Sequence, residues 1–185
     1  MHSLVHLTHF MLNIGQLRRA VIRSLGLGVL LACAAAGALA TGPTVSVTEK
    51  VDLAATPAQT WAAIKDFNGW QAWHPAFART EITRGQGNRK GTVRVLTAKD
   101  GAQFTEELLA HDATSRTVQY RITESPLPIT GYVSTLEVMK GNKGGSSVVW
   151  SSHFEVKDGA SEEEVKKAIA GVYRTGLDHL ESVLK

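Results

Sequence analysis

The sequence holds one cysteine, Cys33, and it stands ahead of residue 41, where the foldable stretch begins. The body of the chain therefore has no disulfide, no thiol nucleophile and no thiolate metal ligand. It also lacks net charge. Arg18, Arg19 and Arg23 account for the formal +3, and residues 41–185 carry 17 basic and 17 acidic side chains. That balance leaves no electrostatic footprint for nucleic acid, which is excluded as a partner. No Gly-x-Ser-x-Gly elbow, glycine-rich phosphate loop, internal repeat or low-complexity segment occurs. His153 belongs to an outward strand face, His111 to a turn beside Asp112, and His179 to the end of the last helix. Their spacing matches no metal site, so neither a metal nor a cofactor is expected.

Residues 24–40, SLGLGVLLACAAAGALA, form an apolar run behind a basic cluster and end on Ala38-Leu39-Ala40. That order is the pattern of a secretory signal, with cleavage after Ala40 and a mature chain from Thr41. The expected organisation is a leader over 1–40, with Met11 a better start than Met1, and one domain over 41–185 exported to the periplasm. Left uncleaved, the same run would anchor the chain in a membrane, the one membrane contact expected. Leu17-Arg18-Arg19 resembles a twin-arginine signal, and Leu30-Leu31-Ala32-Cys33 a loose lipoprotein box. Either changes the route or the anchoring and leaves the compartment the same.

The chain is 43% apolar, and a body of about 145 residues buries enough surface to fold without staples. Val45, Val47 and Val51 alternate with polar residues into Leu53, the signature of a half-buried strand. Thr56 caps a short helix whose first residue is Pro57, where the missing N–H is no loss. Trp61, Ile64 and Lys65 mark that helix and Asn68-Gly69 stops it. Trp70, Trp73, His74 and Pro75 then crowd into six residues, and rings of that size need a core or a cavity to enter.

Further strands are expected over 79–84, 92–98, 103–110, 117–123, 132–139 and 147–156. Hairpins cross Lys99-Asp100-Gly101 and residues 141–145, and Ser125-Pro126-Leu127-Pro128 breaks the ladder. Ser161 and Glu164 form a capping box that opens a helix to about Leu184. Val165, Ile169, Val172, Gly176 and Leu180 line one side of it. Gly176 is expected either to face a cavity or to let the helix approach the sheet. The fold class is α+β: a curved antiparallel sheet of six to seven strands wrapped around a long C-terminal helix, with two short helices after the first strand. This is the helix-grip arrangement.

Period-two alternation collects Glu106, Tyr120, Tyr132, Trp150 and Phe154 on the inner face with their apolar neighbours. A carboxylate there needs a partner, and Arg94 on the paired strand is the candidate. A two-residue Asp100-Gly101 turn sets Arg94 opposite Glu107; a three-residue loop with a bulge sets it opposite Glu106. Trp61, Phe67 and Phe154 read as plain core. Trp70, Trp73, His74, Tyr120, Tyr132, Trp150 and Tyr173, with Arg94 and Glu106, combine large rings with polar tips around a concavity, which suits a small apolar or amphipathic ligand. A non-enzymatic binder is expected; acid–base chemistry by His74, with Glu106 and Arg94, is the enzymatic alternative.

The stretch TPAQTWAAIKDFNGWQAWHPAF, after a strand, resembles the opening of the START and birch-pollen-allergen-like (SRPBCC) superfamily, in its polyketide cyclase/dehydrase branch. Within that branch GTVRVLTAKDG, TEEL, YRITESPLPITGY, VVW and GVYRTGLDHLESVLK are similar to periplasmic methanol-oxidation accessory proteins of the MxaD type. The resemblance covers nearly all of Val45 to Lys185 and implies the helix-grip fold. VRVL and TEEL together favour Arg94 opposite Glu106. It also implies two alternatives to simple binding: an accessory role through a periplasmic redox protein, a quinoprotein dehydrogenase or its cytochrome, or a cyclase or dehydratase using His74.

Overall fold

Alternation becomes architecture from the first strand, β1 (Val45–Leu53), in which Val45, Val47, Val51 and Leu53 are buried. The computed structural model describes residues 43–184, so the expected leader, its expected cleavage site and Cys33 lie outside the described residues. Helix α1 (Pro57–Ile64) starts at Thr56, whose side chain accepts from the Gln59 N–H while the Gln59 side chain returns a bond to the cap, a complete capping box. A three-residue 3₁₀ turn at Trp70–Ala72 is the second short helix.

Six more strands follow: β2 (Phe77–Arg84), β3 (Val93–Ala98), β4 (Gln103–Asp112), β5 (Thr117–Glu124), β6 (Ile129–Lys140) and β7 (Ser146–Val156). They form one antiparallel sheet in the order β1-β7-β6-β5-β4-β3-β2. Register shifts within the β2–β3, β4–β5 and β6–β7 pairs are bulges, which bend strands and increase twist. His111 lies within β4, beyond the expected end of that strand, and its Nε2 meets the Lys65 carbonyl at 2.8 Å.

Helix α2 (Glu162–Val183) takes its N-terminus from Ser161, whose side chain accepts from the Glu164 N–H. Only that half of the expected box is formed among the described residues. Glu162, Glu163 and Glu164 sit in the first turn, where the helix dipole favours them. Val165, Ile169, Tyr173, Gly176, Leu177 and Leu180 are its buried stripe; Val172 is only half-buried. The helix rests mainly against β1 and less on β7. Rings of the Trp70–Phe77 segment and of the strands occupy part of the space between the helix and the far half of the sheet.

Candidate functional site: a ring-lined cavity beneath the last helix

A cavity of about 60 Å³ lies between α2 and the sheet. Trp70, Tyr120, Tyr132, Trp150 and Tyr173 line it, with Glu106 the single charged group among the described lining residues. The remaining wall is apolar and comes from both sides, including Phe104 from β4 and Ile169 and Val172 from α2. The volume admits an occupant of a few heavy atoms before side chains must move. A second, polar chamber of about 360 Å³ abuts it, sharing Ile122 and Tyr132 and carrying Glu124, Ser125, Thr130 and Lys157. The Ser125–Pro128 break therefore borders an opening.

Register decides what stands at the base of the cavity. The β3–β4 loop is the three-residue kind: Ala98 N–H donates to the Ala102 carbonyl at 2.8 Å and Gly101 takes φ +88°. Only a residue tolerant of the left-handed region fits there, and glycine does so without strain. Arg94 consequently faces Glu106, not Glu107; Glu107 pairs with Arg121 on the outer face at 2.7 Å. Arg94 is fully buried and donates from Nε (2.8 Å) and Nη2 (2.6 Å) to Glu106 Oε2, and from Nη1 to the Phe67 carbonyl. Its Cζ lies 3.9 Å from the centroid of Phe67 and 3.8 Å from that of Trp70, so the guanidinium is held between two aromatic faces. Burial holds the Glu106 carboxyl above its ordinary range, and the guanidinium draws part of that shift back. A delocalised, always-protonated partner at charge-assisted distance holds Glu106 as the anion.

The rings form a second network. Trp150 Nε1 donates to Tyr120 Oη at 3.1 Å and to Ser134 Oγ at 3.0 Å, and Ser134 donates its own proton to the Ser151 carbonyl at 2.8 Å. Tyr173 Oη, 3.3 Å from Ser134 Oγ, is bonded to Tyr132 Oη. Trp150 stacks on Tyr173 with centroids 4.3 Å apart, and Trp70 meets Tyr120 and Trp150 edge-on at 5.3 and 5.1 Å. Burial drives all three tyrosine hydroxyls well above their ordinary range, so each stays protonated.

His74 belongs to a different structure. Its Nε2 lies 3.0 Å from the Val172 carbonyl, and Nδ1 accepts from the Ala76 N–H at 3.3 Å. A carbonyl at one nitrogen and an amide at the other fix the proton on Nε2 and leave no free lone pair. Burial pushes its pKa down to about 4 against the help of the Val172 carbonyl. The imidazole lies in the notch that Gly176 leaves in α2: a Cβ there would stand 2.5 Å from His74 Cδ2 and 3.1 Å from Trp73 Cζ3. Gly176 therefore faces neither the cavity nor a strand, and its missing side chain makes room for His74. Trp73, His74 and Arg94 do not line the cavity; they hold the helix and the carboxylate that do. Sequence reasoning assigned Phe67 to plain core and missed its carbonyl, and backbone acceptors leave no signature in side-chain chemistry. The Ser134 hydroxyl, which joins Trp150 to Tyr173, is the other group that side-chain alternation did not single out.

The family model described as "Polyketide cyclase / dehydrase and lipid transport" matches residues 44–185. Comparison with curated protein sequences finds no match. Among solved structures, XoxI from Bacillus cereus is 31% identical at a TM-score of 0.70, over 75% of this chain and 94% of that one. An uncharacterised Bacillus thuringiensis protein is 30% identical, also at 0.70, over 76% and 98%. Ara h 8.0201, 22% identical at 0.61 over 77% of this chain and 98% of its own, shares the fold. The chain belongs to the polyketide cyclase/dehydrase and lipid transport family of the SRPBCC superfamily.

Proposed function

We propose that the protein is a periplasmic, non-enzymatic carrier of a small hydrophobic molecule. One observation carries this: the cavity beneath α2 is walled by aromatic and aliphatic side chains and holds one carboxylate, whose cation is buried behind it. Apolar walls with few convergent polar groups are the usual constitution of a ligand pocket. The nearest imidazole has both nitrogens engaged, which argues for binding over acid–base catalysis. The periplasmic assignment rests on the leader pattern of residues 24–40.

The test is thermal unfolding with and without indole or 1-hexanol, on the wild type and on Ala168→Leu, whose added side chain enters the cavity from α2. A ligand at a hundredfold excess over its Kd stabilises by about 2.7 kcal/mol. The wild-type midpoint should rise and that of Ala168→Leu should not. Equal shifts in both proteins would place binding elsewhere.

The similarity of the chain to the MxaD type favours a second reading, in which the loaded protein serves periplasmic alcohol oxidation by contact with a redox partner. Affinity capture from a periplasmic extract tests it, and a capture free of any quinoprotein or cytochrome refutes it.

A further inference from the structure

The polar groups of the cavity specify the head of its ligand. Both bonds from Arg94 land on one oxygen of Glu106, Oε2, and among the described residues no donor reaches Oε1. Glu106 is only 4% exposed, yet it lines the cavity. A buried carboxylate oxygen with no donor is costly, and it is relieved by anything that brings a hydrogen to it.

The second group is Tyr120, one strand away on the same face. Its hydroxyl accepts from Trp150 Nε1, and the one hydroxyl beside it, Ser134, already has both lone pairs taken by Trp150 Nε1 and Tyr173 Oη. The rest of that network has its protons assigned. Ser134 donates to Ser151, so Tyr173 must donate to Ser134 and Tyr132 to Tyr173. The cavity thus presents one unfilled acceptor, from Glu106, and the unassigned hydroxyl proton of Tyr120 inside walls that are otherwise apolar; the Trp70 indole N–H also has no partner among the described residues, but that atom is closed off from the open space.

Resting on the ligand-binding reading above, we infer that the ligand is a neutral hydroxyl compound, an alcohol or phenol, whose O–H donates to Glu106 Oε1 and whose oxygen accepts from Tyr120 Oη. Pure hydrocarbons would leave both groups unmet. Ethers would satisfy Tyr120 alone. Carboxylates would bring a second negative charge to an already buried anion, and like charges there repel without solvent screening. The apolar remainder of the molecule lies against Trp150 and Tyr173, and its far end reaches the polar chamber past Ile122.

Three four-carbon probes separate these cases: 1-butanol, its isomer diethyl ether, and butyrate. Binding to the folded wild-type protein is followed by NMR through the indole N–H signals of Trp70 and Trp150. The alcohol should bind about tenfold more tightly than the ether, the value of one charge-assisted hydrogen bond, and butyrate should not saturate. In Glu106→Gln the amide oxygen stays with Arg94 and its NH₂ turns to the cavity, so the preference for the alcohol should vanish. If that variant does not fold, the wild-type comparison still decides. An ether that binds as tightly as the alcohol overturns the hydroxyl assignment while leaving the carrier reading intact. Failure of all three probes, together with indole and 1-hexanol, overturns both.

Discussion

Gly176→Ala is the most informative single change, because the structure opposes it to its neighbour Gly171. Alanine is favoured over glycine in a helix interior by about 0.5–1 kcal/mol, and both glycines lie within α2. At Gly171 a Cβ meets nothing within 4 Å, so Gly171→Ala should realise that gain. At Gly176 the same atom would sit 2.5 Å from His74 Cδ2 and 2.8 Å from its Nε2. The ring cannot swing aside cheaply, because its Nε2–H bonds Val172 and its Nδ1 takes the Ala76 N–H. Losing two such bonds costs about 1–3 kcal/mol, and overpacking without losing them costs about as much. After subtracting the helix gain, Gly176→Ala should be destabilised by about 1–2 kcal/mol. Urea unfolding of the three proteins measures this, with unchanged slopes as the sign that only stability moved. If Gly176→Ala is as stable as Gly171→Ala, the helix is not seated on His74 and the account of this notch is wrong.

Arg94→Met should cost about 3–5 kcal/mol by stranding the buried Glu106, and the double change Arg94→Met/Glu106→Leu should recover most of it; a double variant no more stable in urea than the single would contradict the pair's isolation from other donors. Burial lowers His74 to about 4 from 6.5, so below about pH 6.5 the unfolded chain binds a proton that the folded one refuses. The contribution of His74 is then complete above pH 6.5 and is lost as the pH falls toward 4, by about 3 kcal/mol in all. An NMR titration of the folded imidazole that found its midpoint near 6.5 would refute this. Against His74→Asn, the wild type should lose the extra stability only in that interval.

Most of the fold was legible because period-two alternation and one amphipathic stripe settle faces without tertiary information. Each inner-face residue named for β4 to β7 does lie inward, Glu106 included. Register was legible only in part, since residues 99–101 admit two loop lengths and the left-handed conformation of Gly101 chooses between them. The division of labour in Trp70–His74 was not legible. Trp70 reaches the cavity while Trp73 and His74 turn under α2, and that depends on a glycine about a hundred residues further along the chain. Spacing of aromatics marks a segment that enters the interior, but not which ring meets open space.

The central claim is that the cavity beneath α2 carries a small neutral molecule. Native mass spectrometry of protein purified from its host without detergent tests it most directly, with a denaturing run on the same sample. The account predicts an added mass in the folded protein that disappears on denaturation, belongs to a hydroxylated apolar compound, and is absent from Ala168→Leu. A folded wild-type protein at the bare chain mass, unchanged when 1-butanol or 1-hexanol is added, would contradict it.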